Sequence, residues 1–212
     1  KAIGNGDDYN EYGVHLWVLV HGFQGNSQDM KMIKNNIALV FPEVMFLMSS
    51  ANEEHTEGDI TEMGVRLAQE INTHINQYCP GNSLGKISII AHSLGGLISR
   101  AALPYLEEHK AKMFNFITLS SPHLGYMYNS STLIDAGMWF LKTWKKSLCL
   151  QQLRMTDYDS TGNLETCKLY KLSQEKGLEW FKNIIFVSSY QDMYAPFDSA
   201  RIQISNKKEL MS

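Results

Sequence analysis

Apolar and polar runs divide this chain into alternating strands and helices. Val14 to Val20 is a nearly continuous apolar run, the pattern of a strand buried on both faces of a parallel sheet. Asp29 to Val40 reads as a helix and Val44 to Met48 as a second strand. In the next segment, Thr61 to Tyr78, the apolar residues Met63, Leu67, Ile71 and Ile75 recur at helical spacing and define one face of a long helix. Pro80, Gly81, Asn82 and Ser83 break it. A third strand is expected over Lys86 to Ala91, a helix over Leu94 to His109, a fourth strand over Phe114 to Leu119 and a fifth over Asn183 to Ser189. This order predicts an α/β fold, with a mostly parallel sheet and helices on both faces. Residues 125–180 form a long excursion between the last two strands.

Length and composition narrow the reading. A chain of 212 residues accommodates one α/β domain with a sizeable core. It opens at Lys1 without a methionine and reads as a fragment of something longer. The chain is 44% hydrophobic and 19% charged, with a net charge of −3, so nothing marks nucleic acid as a partner. No apolar run approaches the ~20 residues that span a bilayer. Cys79, Cys149 and Cys167 are odd in number and irregularly spaced. They read as free thiols of a reducing, cytoplasmic compartment, with a Cys149–Cys167 bridge as the alternative. Gly81 to Lys86 mimics a phosphate loop, but its glycine spacing is one short and it precedes a strand. With no His/Cys cluster at metal spacing and no dinucleotide fingerprint, neither a metal nor another cofactor is expected.

The most informative stretch is Ile89-Ile90-Ala91-His92-Ser93-Leu94-Gly95-Gly96. A β-branched run leads into a serine with small residues two positions before and after it, and an apolar helical pattern follows at once. This is the strand–serine–helix turn of a nucleophile elbow. A serine hydroxyl is a weak nucleophile, so it must stand clear of the sheet where a base can reach its proton. The backbone crowds such a turn, which leaves room only for small side chains at Ala91 and Gly95.

The first strand ends in His21-Gly22-Phe23-Gln24-Gly25-Asn26. In the α/β-hydrolase fold a glycine-punctuated loop here supplies half of the oxyanion hole. The expected donors are the backbone N–H groups of Phe23 and Leu94. His21 and Gly22 read as supports of that loop, not as a base. The fifth strand runs into Gln191-Asp192, and an aspartate after a late strand is where the acid of a catalytic triad belongs. Asp198 and Asp135 are its weaker competitors; Asp198 sits at a helix start, where capping explains it.

The base is missing. None of the seven histidines follows Asp192, although the chain order of such triads is serine, acid, histidine. His15, His74 and His109 read as structural, and His55 lies in a charged loop. His92 adjoins the nucleophile, points the wrong way for a base and reads as a cleft or support residue. His123, at the end of the fourth strand, is expected to shape the cleft or touch substrate. The simplest reading places the histidine beyond Ser212, together with a last strand and closing helix.

Beyond these residues, the chain resembles the lipase-like putative serine esterase family, and most closely the C-terminal domain of the family-with-sequence-similarity-135 proteins. The resemblance covers nearly the whole chain. It rests on His21 to Ser27, Phe46-Leu47-Met48-Ser49, Ala91 to Gly95, Ser121-Pro122-His123-Leu124-Gly125, Tyr128 to Ser131 and Trp144 to Ser147. It continues through Tyr170-Lys171-Leu172-Ser173, Gln191-Asp192 and Ser199-Ala200-Arg201-Ile202. The resemblance implies an α/β-hydrolase fold and hydrolysis of esters, with lipid or acyl esters as substrates. It also implies Ser93 as nucleophile, Asp192 as acid, and a histidine in a later Ala-His-Ile-like segment.

Within the excursion, Leu133, Gly137, Phe140, Leu141 and Trp144 recur near helical spacing ahead of Lys145 and Lys146. Two readings stay open: a lid whose apolar face meets an acyl chain and whose lysines meet a membrane surface, or a core helix with two solvated lysines. The rival functions are an inactive hydrolase-fold module that binds lipid or protein, and an acyltransferase or thioesterase using the same triad.

Overall fold

The computed structural model describes residues 13–126 and 147–203. Five strands form one parallel sheet in the order β2-β1-β3-β4-β5. They are β1 Val14–Val20, β2 Met45–Met48, β3 Leu84–His92, β4 Met113–Leu119 and β5 Asn183–Val187. The helices are α1 Lys31–Val40, α2 Ile60–Tyr78, α3 Leu94–Ala102, α4 Leu148–Leu153, α5 Lys168–Gln174 and α6 Phe197–Arg201. The expected α/β architecture and the parallel sheet are present.

Pleating sorts the apolar strand residues onto two faces. Leu16, Val18 and Val20 of β1 join Ile87, Ile89 and Ala91 of β3 in the larger core, covered by α2 and α3. Trp17, Leu19 and Ile90 face the other way, against Met30 and the half-buried Ile33 and Ile37 of α1. Met63, Leu67, Ile71 and Ile75 of α2 are buried, as their spacing predicts. Gly64 lets α2 approach α3 closely: a Cβ there would lie 2.6 Å from the Ala101 carbonyl carbon.

Four boundaries depart by two residues or more from the sequence pattern, among them that of β3, which starts at Leu84 and not at Lys86. The first helix starts early, as a 3-10 turn over Ser27–Met30 capped by Asn26 and Asp29 in a reciprocal box. The helix after the serine stops at Ala102, and a kinked 3-10 segment, Leu103–Lys112, replaces the expected run to His109. Pro104 accounts for that break, because it has no N–H to donate and its ring crowds the preceding turn. The fifth strand ends at Val187, two residues early. β5 forms an edge of the sheet and leaves Ile184, Ile185 and Val187 exposed. The expected apolar helix over Leu133 to Trp144, with Lys145, Lys146 and Asp135, lies outside the described residues.

All three cysteines are free and buried. Burial pushes the Cys149 thiol up to about 12, which makes it an inert packing group at neutral pH.

Candidate active site

Ser93 joins β3 to α3 with φ 52° and ψ −125°, a conformation that costs an L-residue about 1–3 kcal/mol. Its side chain makes no capping bond to the helix it precedes, and its N–H donates to the Leu119 carbonyl at 2.9 Å. The small neighbours are required by close packing. A Cβ on Gly95 would lie 2.5 Å from the His21 oxygen and 2.7 Å from that of Val20. A Cβ on Gly22 would lie 3.0 Å from the Ser93 Cβ. The first turn of α3 is therefore pressed against the end of β1, and the two loops expected to form the oxyanion hole meet there.

The loop after β1 is tightly held. The Gly25 N–H donates to the Gly22 carbonyl at 3.1 Å. His21 is buried, and its Nδ1 lies 3.0 Å from the Gly22 oxygen. Gln24 takes a positive φ of 51°, and its N–H donates to the Thr56 hydroxyl at 2.8 Å. The Gln24 amide also donates to the Glu57 carboxylate at 2.7 Å. The same 53–57 segment anchors α4, since the Leu148 N–H donates to the Glu57 carbonyl at 2.8 Å. Gln152 of α4 is buried and holds the start of α2 through the Ile60 N–H and the Asp59 carboxylate.

Positive φ at non-glycine residues recurs after each of the three central strands: Gln24 beyond β1, Ser93 after β3 and Ser120 after β4. Strain of this kind persists only where surrounding structure enforces it, and it gathers at functional sites. Three of the five such residues described lie beyond the carboxyl ends of parallel strands, where open α/β sheets bind ligands, and the other two, Met155 and Ile202, lie elsewhere.

Asp192 follows β5 in a turn. Its Oδ1 accepts the N–H groups of Tyr194 at 2.8 Å and Ala195 at 3.0 Å, leaving Oδ2 with no hydrogen-bond partner among the described residues. Asp198 lies instead in the first turn of α6, whose cap is Pro196. A cavity of about 300 Å³ brings Phe23, His92, Ser93, Leu94 and Asp192 to one surface. A second, of about 270 Å³, shares Phe23, His92 and Ser93 with it and adds Gly22. The expected nucleophile, the expected acid and both expected oxyanion residues thus border a common space.

The sequence placed His123 in the cleft, and the structure corrects this. His123 is 3% exposed and lines neither cavity. Its Nε2 lies 2.9 Å from the Thr118 hydroxyl, and its ring packs on Phe186 at 4.9 Å. Burial, with a smaller push from the Arg100 guanidinium, lowers its pKa to about 3. A ring buried in this way is a structural group, and Ser120 and Pro122 of the same loop form the wall instead. His92 is exposed beside Ser93 and lines both cavities. None of the seven histidines hydrogen-bonds to Asp192. Among the described residues, no three His, Cys, Asp or Glu gather as a metal site requires.

Sequence reasoning missed the walls of the larger cavity: Tyr126, Leu150 and Leu153, all buried. Their only signal was the apolar i, i+3 pair of Leu150 and Leu153. It also missed Arg100, a buried guanidinium that donates to the carbonyls of His123 at 3.5 Å and Leu172 at 3.3 Å. Burial pulls its pKa down to about 10.

The half-buried His15 and the buried His123 make stability depend on pH. Burial, then the Lys86 charge, lowers His15 to about 4, and His123 sits near 3. In the unfolded chain both return to about 6.5. Below that value the unfolded state binds more protons, so stability is complete above it and falls as pH drops towards 4. At pH 5 unfolding should take up about two protons from solvent, one on each of these rings. Urea midpoints from pH 7.5 to 4.5 measure it, and His15→Gln should remove about one of the two.

Comparison with known proteins bears on the family and the fold. A sequence model described as "Putative serine esterase (DUF676)" matches residues 10–206. "Putative lipase ROG1" of Saccharomyces cerevisiae is 35% identical over 138 residues, covering 59% of this chain and 20% of that protein. "Putative lipase C4A8.10" of Schizosaccharomyces pombe is 25% identical over 214 residues, covering 91% of this chain and 26% of that protein. The chain thus spans about a fifth to a quarter of these relatives' length. Among solved structures, mature lipase BlEst2 of Bacillus licheniformis superposes with a TM-score of 0.52 at 19% identity, over 84% of this chain and 66% of that one. It shares the fold.

Proposed function

Because the chain belongs to the DUF676 family of putative serine esterases, we propose that it hydrolyses carboxylic esters, with lipid or other acyl esters as substrates. The observation that carries this reading is the meeting of Ser93, Phe23, Leu94 and Asp192 around one cavity.

The Ser93 hydroxyl attacks the ester carbonyl. The developing oxyanion is held by the N–H groups of Phe23 and Leu94, and Leu94 adds the favourable field of a helix N-terminus. Asp192, whose Oδ1 is occupied by backbone donors, offers Oδ2 to the Nδ1–H of a histidine carried by chain beyond residue 212. That histidine takes the serine proton and delivers it to the leaving alcohol. It then activates the water that releases the acid and restores Ser93. The relatives named lipases and the apolar cavity walls favour a hydrocarbon acyl chain.

Full-length protein should hydrolyse p-nitrophenyl butyrate with a rate that rises with pH through about 6.5 and then levels, as a neutral histidine base requires. No turnover at any pH would overturn the assignment. Turnover with no acid limb would remove the histidine from it.

A further inference from the structure

Among the described residues the two cavities share Phe23, His92 and Ser93, so the proposed nucleophile borders both arms of the cleft. Phe23 is half-buried against the larger core and borders both arms. The arms differ in construction. The larger is floored by Tyr126, Leu150 and Leu153, which are 7%, 2% and 2% exposed. These residues are locked together: the Tyr126 N–H donates to the Leu153 carbonyl at 2.8 Å. Gly125, with φ +69°, lies where any Cβ would strike that same carbonyl. The smaller arm is bounded by Gly22, Gly25, Met30, Ile33 and the exposed Asp29, whose carboxylate also accepts the Asn26 N–H at 2.9 Å through Oδ2.

We infer that the arm floored by Tyr126, Leu150 and Leu153 receives the acyl chain, and that the arm bearing Asp29 receives an alcohol portion carrying a cationic or hydrogen-bond-donating group. This rests on the serine esterase reading of Ser93. The two products of an ester leave in a fixed order. The alcohol departs first, while the acyl group stays bonded to Ser93 until water arrives. A rigid, buried, apolar wall suits the group that stays, since each buried CH₂ is stabilised by roughly 0.8 kcal/mol. Both arms have apolar residues and one carboxylate in their lining, but in the larger arm Asp192 is the proposed triad acid, whereas in the smaller one Asp29, beside Met30 and Ile33, is exposed and suits a polar group that must reach water.

Two ester series test the assignment on the full-length protein. In one the alcohol is p-nitrophenol and the acyl chain lengthens from acetate to decanoate. In the other the acyl group is butyrate, and the alcohol is either choline or its uncharged isostere 3,3-dimethylbutanol. Leu153→Trp should cut the decanoate-to-acetate ratio of kcat/KM by about tenfold or more, as expected when a pocket loses room for two or more methylenes, and leave the choline-to-isostere ratio in place. Tyr194, 63% exposed on the rim of the same arm, supplies a variant that does not disturb packing. Tyr194→Ala should shift the acyl series alone. Asp29→Asn should lower the choline-to-isostere ratio by about threefold, the scale of an exposed charge contact, and leave the acyl series in place. Crossed effects, with Asp29→Asn moving the acyl series or Tyr194→Ala moving the choline ratio, would overturn the assignment while leaving the esterase intact. A wild-type protein that turns over neither series would overturn the esterase reading itself, and the arms with it.

Discussion

Replacing Ser93 by alanine is expected to lower kcat/KM for ester hydrolysis by about 10⁴-fold or more, the scale seen when a serine nucleophile is removed. The fold should survive. The hydroxyl caps nothing in α3, and alanine keeps the Cβ that packs beside Gly22. Ser93→Gly makes a sharper pair with it. The backbone at φ 52°, ψ −125° is strained for serine and alanine alike, and glycine relieves that strain. The glycine variant should therefore be as inactive as the alanine variant, yet more stable than the parent by about 1 kcal/mol. That corresponds to a rise in Tm of about 2–4 °C. Activity assays beside thermal melts read both effects. A gain in stability with loss of activity marks strain maintained for chemistry, and a loss of both would mark Ser93 as structural.

Asp192→Asn should lower kcat by about 10⁴-fold, the drop known when a triad carboxylate becomes an amide. Asparagine can still accept the Tyr194 and Ala195 N–H groups through Oδ1, so the turn should persist. At the second position, however, the amide presents a donor where an imidazole N–H needs an acceptor, which selects the wrong tautomer. Asp192→Ala loses the turn bonds as well and should add a fall in stability. Asp198→Asn is the control: that residue lies in the first turn of α6, away from the larger cavity, and its change should leave kcat within about twofold, as for substitutions outside the reacting groups. Equal losses in both variants would reopen the choice of acid.

Much of this arrangement was legible in the sequence because its signals are local. β1 and the buried face of α2 follow from periodicity alone. The elbow is legible because crowding at Gly95 and Gly22 excludes other residues. What was missed depends on distant contacts. Leu150 and Leu153 reach the cleft because Gln152 and the 53–57 segment fasten α4 beside the first loop, and no short motif encodes that. His123 was misplaced for the same reason: its position at a strand end suggested the cleft, but the partner that draws it inward is Phe186 of β5. The early stop of α3 was readable after all, since Pro104 lies in the predicted helix.

The central claim is that Ser93 is an activated nucleophile, and covalent labelling tests it most directly. Folded full-length protein would be treated with a fluorophosphonate and the modified peptide mapped by mass spectrometry. The account predicts one stoichiometric adduct on Ser93, lost when the protein is denatured before treatment. Folded protein that stays unlabelled, or that carries its adduct on another serine, would contradict it and leave a hydrolase fold serving as a binding module.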